Sequence, residues 1–390
     1  MKKIILLLSI LSLISCTEHY ALESKNYEEA IVIEALITNE VKFQEIKISK
    51  TYSLDSNSPE QISNAIVYII DNLGNTYNFV ESNSKYISQI QFAAENSRQY
   101  KLFIETENGD KYESESVKFN LSQSNFSSIS YELTTKNGVS GIQFYVNSQD
   151  NTNNSKYYRF DYEETFKIVA PRWVSVKGQP NLTTQTLDLI PWDYESHICF
   201  NSYQNKNILI DNSLQSNQDA IKFPIRFLGS NDPKIGTRYS IKAYQYILSS
   251  FTHNFYEKLK AFSESNTLLS QVQPGQLSSN IISKNNSNKI IGIFDVCSVS
   301  SKRIFVNYSD LYPNNYNYPY FCDCSDNVKS PPLKYCYGSI SCDATNINSS
   351  LANRILTYYS VDADGYYFFP AKCGDCTNLG TNITPSFWID

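Results

Sequence analysis

The chain is poor in histidine, methionine, glycine, proline and charge. Its three histidines, His19, His197 and His253, leave little imidazole for proton transfer or metal chemistry. One methionine, 13 glycines and 13 prolines in 390 residues exclude collagen-like and low-complexity chains. Only 18% of residues are charged, and 33 basic against 39 acidic side chains give a net charge of −6, so no basic face for nucleic acid is advertised. Beyond the N-terminal leader no stretch reaches the roughly 18 apolar residues that a spanning helix needs. A G-x-S-x-G elbow, an H-E-x-x-H pair, a Walker A loop and a G-x-G-x-x-G turn are all missing. The sequence therefore assigns no catalytic residue, no resident metal and no cofactor, and the chain reads as a non-enzyme.

Apolar side chains are present in quantity. They form 41% of the chain, with 30 Tyr and 21 Phe, enough to bury real cores and to exclude disorder as the main state. Aromatic abundance favours strands over helices. The first fifteen residues form a leader: Lys2 and Lys3, then an apolar run from Ile4 to Ile14. That run is too short to cross about 30 Å of hydrocarbon and reads as a signal segment. It ends in Leu13-Ile14-Ser15-Cys16, two aliphatic residues, a small one, then cysteine, which matches a bacterial lipobox. Cys16 would then carry the lipid after cleavage, and three acyl chains at roughly 0.8 kcal/mol per buried CH₂ hold far more firmly than one. The alternative is a plain secretory signal in which Cys16 is incidental.

The fold class expected is mainly β: an N-terminal immunoglobulin-like sandwich, a second β-rich domain with one amphipathic helix, and a Cys-rich C-terminal tail. Residues 1–15 are the leader and 16–28 a tether. Residues 29–119 form the sandwich, with strands at Ala30–Ile37, Phe43–Lys50, Ala65–Asp71, Thr76–Glu81, Lys85–Gln91, Tyr100–Thr106 and Lys111–Lys118. Asn108-Gly109 marks a hairpin between the last two, because both residues tolerate positive φ. A polar joint at 120–128 opens the second domain, 120–306, with strands near Gly141–Val146, Tyr157–Val169, Asp219–Leu228 and Thr237–Leu248. Ser249-Ser250 can cap a helix whose stripe is Phe251, Phe255, Leu259 and Phe262. Ile290–Val296 and Arg303–Val306 look like buried strands, and 307–390 is the tail.

With Cys16 set aside, eight cysteines remain: Cys199, Cys297, Cys322, Cys324, Cys336, Cys342, Cys373 and Cys376. An even number in an exported chain reads as candidate disulfides, with pairing undetermined. The competing reading is zinc held by Cys322, Cys324, Cys373 and Cys376. The segment Asn307–Phe321 is the candidate binding feature, with Tyr308, Tyr312, Tyr316, Tyr318 and Tyr320 set among Asn, Ser and Pro. Tyrosine offers large contact area at low entropic cost; the bland alternative packs these rings onto their own domain. Trp173 and Trp192, near prolines, carry the same ambiguity. The acidic tract Asp161-Tyr162-Glu163-Glu164 is expected at a solvated strand end, and Asp362-x-Asp364-Gly365 is expected to be a hairpin turn and not a calcium loop.

Several segments in order resemble a Bacteroidota outer-membrane lipoprotein family known only as domain of unknown function 4249. They are Ala30-Ile-Val-Ile-Glu-Ala-Leu-Ile-Thr-Asn39, Ala65-Ile-Val-Tyr-Ile-Ile-Asp-Asn72, and Tyr100-Lys-Leu-Phe-Ile-Glu105 with Asn108-Gly109. Ser279-Asn280-Ile281 with Ile291-Gly-Ile-Phe294, and Cys373-Gly-Asp-Cys376-Thr with Gly380 and Pro385-Ser-Phe-Trp388, complete the set. Departures are the single Gly380 where the family has a double glycine, and the cysteines between 322 and 342. The resemblance implies an outer-membrane, lipid-anchored protein, on the surface or the periplasmic face with the surface favoured. It also implies a TonB-dependent β-barrel as partner. The function expected is an accessory lipoprotein of such a transporter. The alternatives are a free-standing surface glycan- or peptide-binding module, a subunit of an outer-membrane export or assembly machine, and a hydrolase without a recognisable motif.

Overall fold

The computed structural model describes residues 30–51, 59–120, 125–150, 155–181, 186–214, 220–264, 277–285, 289–330 and 344–390. The leader, the tether with Cys16, and Cys336 and Cys342 lie outside them. The protein is mainly β, with large sandwich-like sheets and few helices.

The N-terminal unit contains β1 (Ala30–Thr38), β2 (Glu45–Lys50), β3 (Ile66–Asp71), β4 (Thr76–Ser82), β5 (Lys85–Ser88), β6 (Gln99–Glu105), β7 (Lys111–Ser114) and β8 (Val117–Lys118). Alternation of buried and outward side chains along most of these strands produces one apolar face. Ile31, Ile33, Ala35 and Ile37 of β1 point inward with Ile46, Ile48, Val67, Ile69, Tyr100, Leu102 and Ile104. Asn108-Gly109 makes the expected hairpin, Gly109 at φ +84°.

The second region contains β9 (Asn125–Lys136), β10 (Val139–Gln149), β11 (Tyr157–Val169), β12 (Val176–Asn181), β13 (Thr186–Pro191), β14 (Ile198–Gln204), β15 (Leu209–Asn212), β16 (Ala220–Gly229) and β17 (Arg238–Leu248). A long sheet runs β14-β11-β17, and a small one, β16-β10-β9, faces it across a second core of Phe144, Phe160, Phe166, Tyr239 and Ile241. Helix α1 (Ser250–Glu264) starts where expected, with Ser249 Oγ accepting the Thr252 N–H at 3.1 Å. Its buried residues are Thr252, His253, Phe255 and Tyr256, with Leu259 half-buried beside them, while Phe251 and Phe262 are exposed. The helix is rotated from the all-Phe stripe so that Tyr256 reaches Arg159.

β18 (Ile281–Ser283) and β19 (Lys289–Asn307) follow. The two strands expected at 290–296 and 303–306 are one strand of 19 residues. Its first half pairs in parallel with β1, Lys289 to Cys297, and its second half pairs antiparallel with β17. β18 pairs with β7. The N-terminal sheet thus takes strands from residues 281–297, outside 29–119, and one strand belongs to both sheets.

The tail holds α2 (Tyr308–Leu311), β20 (Val328–Ser330), α3 (Ala344–Ala352), β21 (Leu356–Asp362), β22 (Gly365–Pro370) and α4 (Ala371–Gly374). Asp362-x-Asp364-Gly365 is the β21–β22 hairpin turn, with Asp362 Oδ1 accepting the Asp364 N–H. α3 packs Ile347 and Leu351 against Leu187, Tyr358 and Phe368.

Candidate functional site

The acidic tract Asp161-Tyr162-Glu163-Glu164 is not at a strand end. It lies in mid-β11, and the period of two divides it. Glu164 points inward and is 2% exposed. Arg226 Nε and Nη2 reach it at 3.0 and 3.3 Å, the Tyr239 hydroxyl donates at 2.8 Å, and Lys234 forms an ion pair. Burial alone would raise its pKa; Arg226, Lys234 and the Tyr239 hydroxyl outweigh burial and hold it below the ordinary value.

Asp161 and Glu163 face the other way, into a groove of about 390 Å³ between β1–β2 and the β11–β17 sheet. Register sets Arg159 opposite Tyr246, Asp161 opposite Tyr244 and Glu163 opposite Lys242. The floor is therefore a ladder of charged and aromatic side chains. Arg159 Nη1 donates to the Tyr256 hydroxyl at 3.0 Å, and its guanidinium lies 4.7 Å from the Tyr256 ring centre and 5.5 Å from that of Tyr246. Asp161 is 4.0 Å from Arg159, yet burial raises its pKa more than that cation lowers it. Glu163 accepts from Arg303 Nη2 at 2.9 Å. The Tyr244 and Tyr246 rings run near-parallel, 6.5 Å apart. Glu34, Lys42, Phe43 and Lys47 form the facing wall. Aromatic faces beside fixed donors and acceptors suit a polyhydroxylated or peptidic ligand. A larger hollow of about 500 Å³ opens at Ala30, Lys50, Glu60 and Asp110. Tyr112, the one aromatic among the described residues that line it, is only 3% exposed and offers no stacking face. Sequence reasoning missed the groove; its signal was the shared alternation of Arg159-x-Asp161-x-Glu163 and Lys242-x-Tyr244-x-Tyr246.

The tyrosine segment divides in two. Tyr308 is 2% exposed, accepts from Asn315 Nδ2 at 2.8 Å, and meets the rings of Tyr312 and Tyr318 at 5.0 and 5.3 Å. Tyr312 and Tyr320 are half-buried against the second core, and the Tyr320 hydroxyl donates to the Lys372 carbonyl at 2.6 Å. Tyr316 and Tyr318 are 80% and 53% exposed. Trp173 and Trp192 are tied locally, their indoles donating to Ser196 Oγ and the Val174 carbonyl.

The cysteines pair as Cys199–Cys376 and Cys324–Cys373. Cys376 is thereby taken from the four-thiolate zinc set. Cys297 and Cys322 form no bridge. Cys297 lies in β19 with Leu248, Phe255 and Ile293, in a core cluster that holds no other cysteine among the described residues, and burial pushes its thiol pKa well up. Cys322 stands beside a bond already made by its neighbours.

The remaining motifs converge on β19. Asn280 donates to the Phe294 carbonyl at 2.7 Å and accepts its N–H at 3.0 Å. A Cβ on Gly292 would meet the Ile33 carbonyl oxygen at 2.2 Å. Asn39 Oδ1 accepts the Val299 N–H. Near the C-terminus Gly380 lies against the Phe200 carbonyl, and Trp388 meets Phe200 and Phe305 edge-on.

Fold and motifs together define a mainly β protein whose tail is tied back by disulfides. The chain belongs to the family described as domain of unknown function (DUF4249), whose profile matches residues 17–303. The Cys373–Trp388 segment lies beyond the matched residues. No curated protein matches the chain. Among solved structures it is similar in part to a Salmonella alpha-2-macroglobulin variant, at 9% identity and a TM-score of 0.16, over 57% of this chain and 14% of the length of that one.

Proposed function

We propose that the protein is an accessory lipoprotein of the outer membrane in Bacteroidota. It is anchored through lipid on Cys16, non-enzymatic, and partnered with a TonB-dependent β-barrel transporter. The observation that carries the reading is the pair Tyr316 and Tyr318, held out in water by a segment whose other tyrosines are packed away. Anchoring at Tyr308, Tyr312 and Tyr320 removes freedom before docking, so two large rings can be buried at low entropic cost. The order Leu13-Ile14-Ser15-Cys16 supports the anchor. The test is recovery of the tagged full chain from gently solubilised outer membrane, followed by mass spectrometry. A barrel recovered in stoichiometric amount, and lost with Tyr316→Ser/Tyr318→Ser while the fold persists, is the result expected. Recovery of the chain alone would overturn the reading.

A second reading is favoured by the groove: a surface module that binds a glycan or a peptide on the Tyr244–Tyr246 floor. A glycan array and a peptide panel test it, and silence on both would remove it.

A further inference from the structure

The Cys324–Cys373 disulfide has a third sulfur against it. Cys322 Sγ lies 3.4 Å from Cys373 Sγ and 3.8 Å from Cys324 Sγ. The three sulfurs lie within 4.8 Å of one another, Cys373 fully buried and the other two half-buried. This contact is placed where chain length matters. Residues 312–321 carry Tyr316 and Tyr318 and run directly into Cys322. One end of that strap is held by buried Tyr308. The other is held by the disulfide, with the Tyr320 hydroxyl on the Lys372 carbonyl and Arg172 Nε on the Cys324 carbonyl at 2.9 Å.

We propose that Cys322, Cys324 and Cys373 form a thiol–disulfide exchange site, in which Cys373 bridges either member of the Cys322-Asp323-Cys324 pair. The Cys322 thiolate attacks Cys373 Sγ. A Cys322–Cys373 bond forms, the Cys324–Cys373 bond breaks, and its electron pair leaves on Cys324 sulfur. That sulfur takes up the proton Cys322 gave to solvent. One thiol and one disulfide stand on each side, so no oxidant or reductant is consumed. Cys322 Sγ lies beside the S–S bond and not on its extension, so its side chain rotates into line before transfer. Moving the bond from Cys324 to Cys322 takes two residues out of the strap, about 7 Å of extended chain. It also draws Cys324 away from Arg172. The exchange thus resets the reach of the exposed tyrosines, and it stands whatever those tyrosines bind.

The test uses the mature full-length protein, incubated without added thiol and then denatured in acid with N-ethylmaleimide to cap every free thiol. Cleavage on the N-terminal side of aspartate cuts before Asp323 and separates Cys322 from Cys324 for mass spectrometry. The result expected is two populations. In one Cys322 is capped and Cys324 is joined to Cys373; in the other Cys324 is capped and Cys322 is joined to Cys373. The minor form should reach on the order of a few per cent. Cys324→Ser should keep a bridge to Cys373, now from Cys322. Capping of Cys322 alone in the native chain overturns the proposal, even if the variant fails to fold. So does Cys322 joined to Cys336 or Cys342.

Discussion

Asn280 does with a side chain what the rest of the N-terminal sheet does with backbone. Its amide donates to and accepts from Phe294, and its own carbonyl takes the Glu115 N–H at 2.7 Å. It thereby links the β18 end of the sheet to the β19 end, inside the core. Replacing it with Ala orphans a buried N–H and a buried C=O, each worth about 1–3 kcal/mol. Asn280→Ala should therefore lower the urea midpoint by the equivalent of about 2–5 kcal/mol without a change in slope. Gly292→Ala should be worse, because its contact is the Ile33 backbone and no rotamer relieves it. Glu164 supplies the pH dependence. Its folded pKa is below its ordinary 4.5. Its contribution is thus present above that value and is lost as pH falls through the lower, folded one. Glu164→Gln should cost about 3–5 kcal/mol at neutral pH, since Arg226 and Lys234 lose a buried partner. The gap between wild type and variant should hold above about pH 5 and close below the ordinary 4.5, read from denaturation midpoints across pH.

Among the elements, those with strict alternation were legible in advance. β3 and β6 hide every second side chain throughout, as do the middle of β1 and the first half of β4, so hydrophobic period and strand coincide there. β9 and β12–β15 were not legible. From Tyr131 to Lys136 every side chain of β9 is exposed, and no apolar period marks a strand whose partner is β10. β19 was visible as two apolar pieces. Its continuity depends on two different partners, β1 and β17, more than 40 residues away in sequence. The disulfide Cys199–Cys376 works at this scale, tying β14 to the turn after α4 across 177 residues. Closing so long a loop restricts the unfolded chain most, so Cys199→Ser/Cys376→Ser should lose about 3–5 kcal/mol in chemical denaturation. Loss of less than 1 kcal/mol would mean that the Trp388 contacts hold the tail without the bond.

On the scale of the whole molecule, the groove exists because β19 carries both sheets and sets β2 across from β11. Of its two floor rings, Tyr244 is half-exposed, whereas Tyr246 packs partly against the core of Leu248, Phe255 and Ile293. Tyr244→Ala should therefore leave the thermal midpoint nearly unchanged and Tyr246→Ala should lower it, while each weakens retention on any glycan or peptide to which the native chain proves to bind. Equal loss of stability and binding would make those rings structural. The Arg159-x-Asp161-x-Glu163 pattern was in the sequence, yet nothing local says that the odd-numbered side chains of β11 meet a second wall and not open water.

Local chemistry alone determined the β character, the first strands, the Asn108-Gly109 and Asp364-Gly365 turns, and the capped start of α1. Each depends on residues within a few positions of one another, where propensity and period act. Long-range contact decided the closure through Asn280, the partners of Cys199 and Cys324, and which tyrosines of 308–320 stay in water. It also decided that half of an ordinary-looking acidic tract is buried against Arg226 while the other half lines a groove. Those outcomes rest on side chains brought together from 14 to 177 residues apart, and on burial, which no short window of sequence contains.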